Sequence, residues 1–237
     1  MSVRRVSLRQ RPPYAFRALG GVGRAPSRRA TLTGMDSVTK EAFLQRYAFL
    51  AVHVGVGLEP GQRLVIRSPL DAAPLVRHLA VAAYQAGAPY VNVVWSDVEV
   101  AKARFLNAPE DSFEEIPYGQ AAALEGMALR GDAFIAITAE DPEALKDADP
   151  ARVSRARAAL STSLKPWRKL QMSDAVPWSV IAAPSPGWAR KVFPGVSDEE
   201  AVDALWNAIF EAIRLDDEDP VTAWQCTWTR SNRGRRS

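Results

Sequence analysis

Residues 63–95, RLVIRSPLDAAPLVRHLAVAAYQAGAPYVNVVW, decide the fold. RLVIR (63–67) is a short apolar strand. Pro74 then stands near the start of a helix, where its missing N–H is not needed. LVRHLAVAAYQAG carries that helix to Gly87, and YVNVVW (90–95) is the next strand. Strand, helix, strand within so short a span is the unit that builds parallel sheets.

The pattern continues on both sides. Upstream, Phe43, Leu44, Tyr47, Leu50, Ala51 and Val54 recur at helical spacing, and Gly55 or Gly57 can end that helix. Downstream, a helix over roughly 98–106 precedes a second, AAALEGMALRG, closed by Gly131, and the strand AFIAIT (133–138) follows. A basic helix spans about 150–171, and PWSVIAAP supplies a fourth strand. Ser197 and Glu200 have the spacing of a capping box, opening a helix that runs through Arg214. The expectation is an α/β domain: a mostly parallel sheet flanked by helices, with an unstructured basic N-terminal extension and C-terminal tail.

Charge divides the 237 residues into three zones. Residues 1–34 hold eight Arg and no acid, and residues 225–237 hold four Arg and no acid. The remaining 18 basic residues face all 27 acids, so residues 35–224 sum to −9 although the whole chain is +3. A folded part this acidic argues against a nucleic-acid partner. No apolar run reaches the ~18 residues that span a bilayer, so no membrane partner is expected. The one cysteine, Cys226, lies in the tail, which leaves the middle without thiol chemistry and suits a cytoplasmic location. Residues 1–34 have three open readings: a transit peptide, a basic arm, or codons upstream of a true start at Met35.

Familiar catalytic patterns are poorly supported. Gly55-Val-Gly57-Leu-Glu-Pro-Gly61 follows a helix and precedes a strand, the reverse of what a dinucleotide site requires. The GGVG at 20–23 has no strand before it and no Lys-Ser/Thr after it. His53 and His78, the only histidines, have no His or Cys three or four residues on, and each suits packing better than metal ligation. Ser68, Asp71 and His78 have the residue types of a nucleophilic triad without its strand–elbow setting. Asp216, Asp217, Glu218 and Asp219 form an acid run that suits a solvated link.

Open parallel sheets bind ligands at the carboxyl ends of their strands. Ser68 to Asp71 follows the first strand, Ser96-Asp97 the second, and the Ala183–Trp188 segment the fourth. The candidate cleft-rim residues are therefore Ser68, Asp71, Ser96, Asp97 and Trp188. Each has an ordinary alternative as a loop residue or helix cap.

Three stretches carry a family likeness. YAFLAVHVGVGLEPGQRLVIRSPLDAAPLVRHLAVAAYQAGAPYVNVVWSD, VPWSVIAAPSPGWARKVFPG and ALWNAIFEAIRLDDEDPVTAW occur in the order found in the thermophilic metallo-aminopeptidases, aminopeptidases T and S among them. Residues 35–224 resemble the amino-terminal half of that family. The resemblance implies a two-domain, usually dimeric exopeptidase that takes peptide substrates and uses divalent metal, zinc or cobalt. It also implies that the metal ligands, Glu, His, Tyr and Asp side chains, come from the carboxy-terminal half. No position here matches them, so no catalytic or metal residue is assigned, and the chain is expected to be inactive alone. A stand-alone interaction domain without catalysis is the alternative.

The ending, DPVTAWQCTWTRSNRGRRS, opens a helix at Asp219-Pro220 and abandons it. From Gln225 onward, the third base of each codon joined to the first two of the next encodes Val, His, Leu, Asp, Ala, Leu and Glu, if third positions are G/C-rich. That series has helical amphipathicity, and the expectation is a frameshift after Trp224. A truncated chain would bare surface meant for a second half, with Trp206, Phe210, Ile213 and Trp224 as candidates for it or for core packing.

Overall fold

The computed structural model describes residues 37–116, 119–139, 141, 143–215 and 224. The expected extension at 1–34, the tail from 225, the acid run at 216–219 and Cys226 lie outside the described residues.

Four strands form one sheet in the order β2-β1-β3-β4: β1 Leu64–Pro69, β2 Val91–Ser96, β3 Ala133–Thr138 and β4 Trp178–Ala182. All pairings are parallel. The helices are α1 Ser37–Leu50, α2 Ala73–Gln85, α3 Val98–Asn107, α4 Gln120–Leu129, α5 Pro150–Ser163, α6 Lys165–Met172, α7 Pro186–Val192 and α8 Asp198–Ala212. This is the α/β sheet flanked by helices that the alternation of short strands and helices implied.

Alternation along each strand sends its side chains to two cores. Leu64 and Ile66 of β1 and Ala133, Ile135 and Ile137 of β3 enter the larger one. There they meet Phe43, Leu44 and Tyr47 of α1, Leu75 and Leu79 of α2, and Leu205 and Phe210 of α8. Val65 and Phe134 point the other way, onto Leu124 and Ala128 of α4 and Trp167 of α6. Burial on both faces explains why the central strands are continuous apolar runs. Each fully buried Leu or Ile contributes roughly 1.5–3 kcal/mol. A third, smaller cluster joins Phe105 of α3 to Phe113 of the 3-10 turn Glu110–Glu114, their rings stacked at 5.8 Å.

Several expectations need correction. The basic helix expected over 150–171 is two helices that part at Leu164, because Pro166 lacks an N–H and its ring would strike the carbonyl four residues back. Two of its arginines, Arg152 and Arg155, pair with Glu110, and Arg152 lies over Phe113 at 5.3 Å. The first helix ends in a π-helical turn, Ala51–Gly55. The Ala183–Trp188 segment is not all loop. Pro186 starts α7, and Ser185 Oγ accepts the Trp188 N–H at 3.3 Å as its N-cap. Trp206 and Phe210 are buried core residues, while Ile213 and Trp224 pack against that core. Trp224 Nε1 donates to the Ile213 carbonyl at 2.7 Å. None of these four forms an open apolar face. Exposed large apolar residues lie elsewhere, among them Leu70 after β1, Trp95 near the end of β2, and Val98 and Val100 in α3.

Candidate functional site

The chain leaves β1 for β2 on one side and returns to β3 on the other, so the strand order reverses beside β1. Open α/β sheets bind ligands in the crevice outside the strand ends at such a point. All four carboxyl ends lie along one edge, because every pairing is parallel.

The five sequence-predicted rim residues have separate placements. Ser68 is buried, opposite Trp95 in the register, and its Oγ donates to the Pro69 carbonyl at 2.9 Å. Ser96 Oγ donates to the Ser68 carbonyl at 3.4 Å, tying the ends of β1 and β2 together. Asp71 lies in the 3-10 turn Leu70–Ala72 and is exposed. Asp97 is the N-cap of α3, its Oδ1 accepting the N–H groups of Glu99 at 2.8 Å and Val100 at 3.3 Å. Trp188 packs half-buried against the larger core. His78 does not complete a triad with Ser68 and Asp71: its Nε2 sits 3.2 Å from Glu41 Oε2.

A cleft of about 540 Å³ opens at this edge between α3, the segment after β3 and α7. Its charged lining is Glu99 and Lys102 from α3, Asp141, Glu143 and Lys146 from the β3–α5 segment, and Arg190 and Lys191 from α7. Lys191 pairs with Glu143 at 3.2 Å, bridging α7 to that segment. Lys102 pairs with Asp147 at 3.4 Å and Arg190 with Asp198 at 2.8 Å. Among the described residues, Lys146 and Glu99 have no such partner. Gly187 lines the same cleft, and a Cβ there would have to displace the Asp141 carboxylate. A polar cleft carrying both signs of charge can hold the charged groups of a peptide.

Sequence reasoning missed this lining. It comes from three distant segments, each of which looks alone like a solvated helix face. The available signal was the shared position of those segments, all placed after carboxyl strand ends.

Among the described residues there is no group of three or more His, Cys, Asp or Glu side chains that could hold a metal ion. His53 packs against Phe49 with the rings tilted at 39° and centroids 4.1 Å apart, and burial lowers its pKa. With His78 beside Glu41, neither histidine is offered to a shared centre. A co-catalytic metal pair needs several converging ligands, and the described residues do not fit one. Among the described residues, no helix is long and apolar enough to cross a membrane.

The family model "Thermophilic metalloprotease (M29)" matches residues 40–236. Aminopeptidase 2 of Geobacillus stearothermophilus is 45% identical over 185 residues, 78% of this chain and 45% of that protein. Aminopeptidase T of Thermus thermophilus is 40% identical over 185 residues, covering 77% of this chain and 45% of its own length. The solved structure of wild-type AmpT from Thermus thermophilus superposes with a TM-score of 0.73 at 36% identity, over 78% of this chain and 45% of that one. The chain spans about half the length of these curated relatives, which fits the likeness to an amino-terminal half. With a family match over most of its length and the same fold in a solved relative, the chain belongs to the thermophilic metalloprotease (M29) family.

Proposed function

We propose that this chain is the amino-terminal, cleft-forming part of a metal-dependent aminopeptidase that removes amino-terminal residues from peptides. The observation that carries this reading is the family match over residues 40–236, where the relatives are named aminopeptidases. The described residues supply the polar cleft at the carboxyl edge of the sheet and do not fit a metal pair. On this reading the zinc or cobalt of the complete enzyme is held by ligands outside this chain, and the chain by itself has no turnover. A cytoplasmic homodimer is the accompanying reading for the complete enzyme.

A second reading, an interaction domain without catalysis, draws on the exposed Leu70, Trp95, Val98 and Val100. Exposed apolar side chains near the carboxyl edge of the sheet would favour a packing partner there.

Hydrolysis of Leu-p-nitroanilide by the purified chain, with cobalt or zinc added, tests the assignment of the metal. No metal-dependent rate is expected. Metal-dependent turnover by this chain alone overturns the placement of the ligands outside it.

A further inference from the structure

Among the described residues, an arginine in a central strand of the sheet has no counter-charge. Arg67 of β1 lies between Val94 of β2 and Ala136 of β3 in the register. Strand alternation puts it on the same face as Val65, opposite to Ser68. Its guanidinium lies over the indole of Trp167, Cζ 5.0 Å from the ring centroid. Among the described residues, no hydrogen bond or ion pair holds it. Among the described residues, the charge felt most at Arg67 is that of another cation, Arg168. Burial first, and Arg168 second, lower the Arg67 pKa from its ordinary value. Arg168 is exposed and donates from one guanidinium nitrogen to Ser161 Oγ at 2.9 Å.

The surroundings leave room on the carboxyl side. Trp167, Leu124 and Ala128 cover this face over Val65 and Phe134. Beyond them the same face presents half-buried Ala136, then exposed Thr138, with exposed Ser96 and Val180 on the flanking strands. Arg67 and Ala136 face one another across β1 and β3, where the strand order reverses.

A half-buried guanidinium beside a second cation is electrostatically uncompensated, and an oxyanion relieves that. Arginine has the right shape for an oxyanion, since one face can stack on an aromatic while its N–H fork meets a carboxylate or phosphate edge-on. We propose that Arg67, stacked on Trp167 and assisted by Arg168, is an oxyanion-binding site that takes a carboxylate or phosphate group at the β1–β3 crevice. This site stands whether or not the complete protein is an aminopeptidase, because binding is read without turnover.

Side-chain Nε–Hε NMR of the full chain tests it, with inorganic phosphate, Leu-Gly-Gly and Leu-Gly-Gly amide as separate probes. A saturable shift of the Arg67 and Arg168 resonances is expected, at least tenfold weaker in Arg67→Gln. Arg67→Lys, which keeps the charge and loses the fork, is expected between the two. Saturation by the peptide but not by its amide identifies a peptide α-carboxylate as the ligand; saturation by phosphate alone identifies free phosphate. Arg168→Gln changes an exposed residue, so it reports even if the Arg67 variants do not fold, and a severalfold weakening is expected. Non-saturable shifts, or equal affinity in the Arg168 variant and the parent chain, indicate an adventitious ion only and overturn the proposal.

Discussion

Tyr47 of α1 and Ala182 of β4 exchange two hydrogen bonds, both 3.1 Å: the phenol donates to the Ala182 carbonyl and accepts its N–H. Among the described residues β4 pairs with β3 alone, so Ala182 offers its backbone groups outward from the sheet edge. One tyrosine oxygen satisfies both, standing in for part of a missing strand.

Tyr47→Phe is therefore expected to cost about 1–3 kcal/mol, because it removes the hydroxyl and leaves two backbone groups without their partner. Urea unfolding reads the loss. The same residue sets an alkaline limit. Its pKa is raised to about 12, chiefly by burial, with the hydrogen bond to Ala182 acting the other way. The folded state thus holds the phenolic proton where the unfolded chain has released it. The stability this contributes is present below pH 10 and is lost as pH rises towards 12, a change of about 2–3 kcal/mol. In Tyr47→Phe that part of the alkaline slope should vanish.

Phe210 anchors α8 in the larger core. Its ring stacks on Phe43 at 5.0 Å and on Trp206 at 5.1 Å, and meets Tyr47 edge-on at 6.2 Å. Phe210→Ala should lose about 3–5 kcal/mol, since the surrounding rings cannot all collapse into the space. A fall in the urea midpoint measures it, and an unchanged midpoint would place α8 outside the cooperative core.

Gly87 closes α2 at φ +92°, and a Cβ there would stand 3.2 Å from Cα and Cβ of Pro60. Gly61 has φ +82° and nothing within 4 Å of the corresponding point. Gly61→Ala should show only the left-handed cost, about 1–2 kcal/mol. Gly87→Ala should cost more, because the backbone of Pro60 cannot swing aside. Parallel thermal melts of the two variants compare them directly.

The sheet was legible because β1 and β3 are buried on both faces and so appear as unbroken apolar runs. The capping box at Ser197 and Glu200 was equally readable: Ser197 Oγ accepts the Glu200 N–H, and Glu200 returns a bond to the Ser197 N–H. Helix α7 was hidden by its proline, which marks a loop and a helix start alike; Ser185 before it was the available signal. The rim residues lie after the carboxyl ends of their strands, where Ser68 and Asp97 serve the backbone. The cleft's own charges, Lys102, Lys146 and Arg190, could be assembled only once the sheet had brought three loops together.

The most direct test of the amino-terminal assignment joins this chain to the remaining half of a relative. Residues 40–215 would replace the aligned segment of aminopeptidase 2 from Geobacillus stearothermophilus, and release of p-nitroaniline from Leu-p-nitroanilide would be followed with and without cobalt. Metal-dependent release by the chimera is the expected result. A folded, metal-loaded chimera that leaves the substrate intact would contradict the assignment.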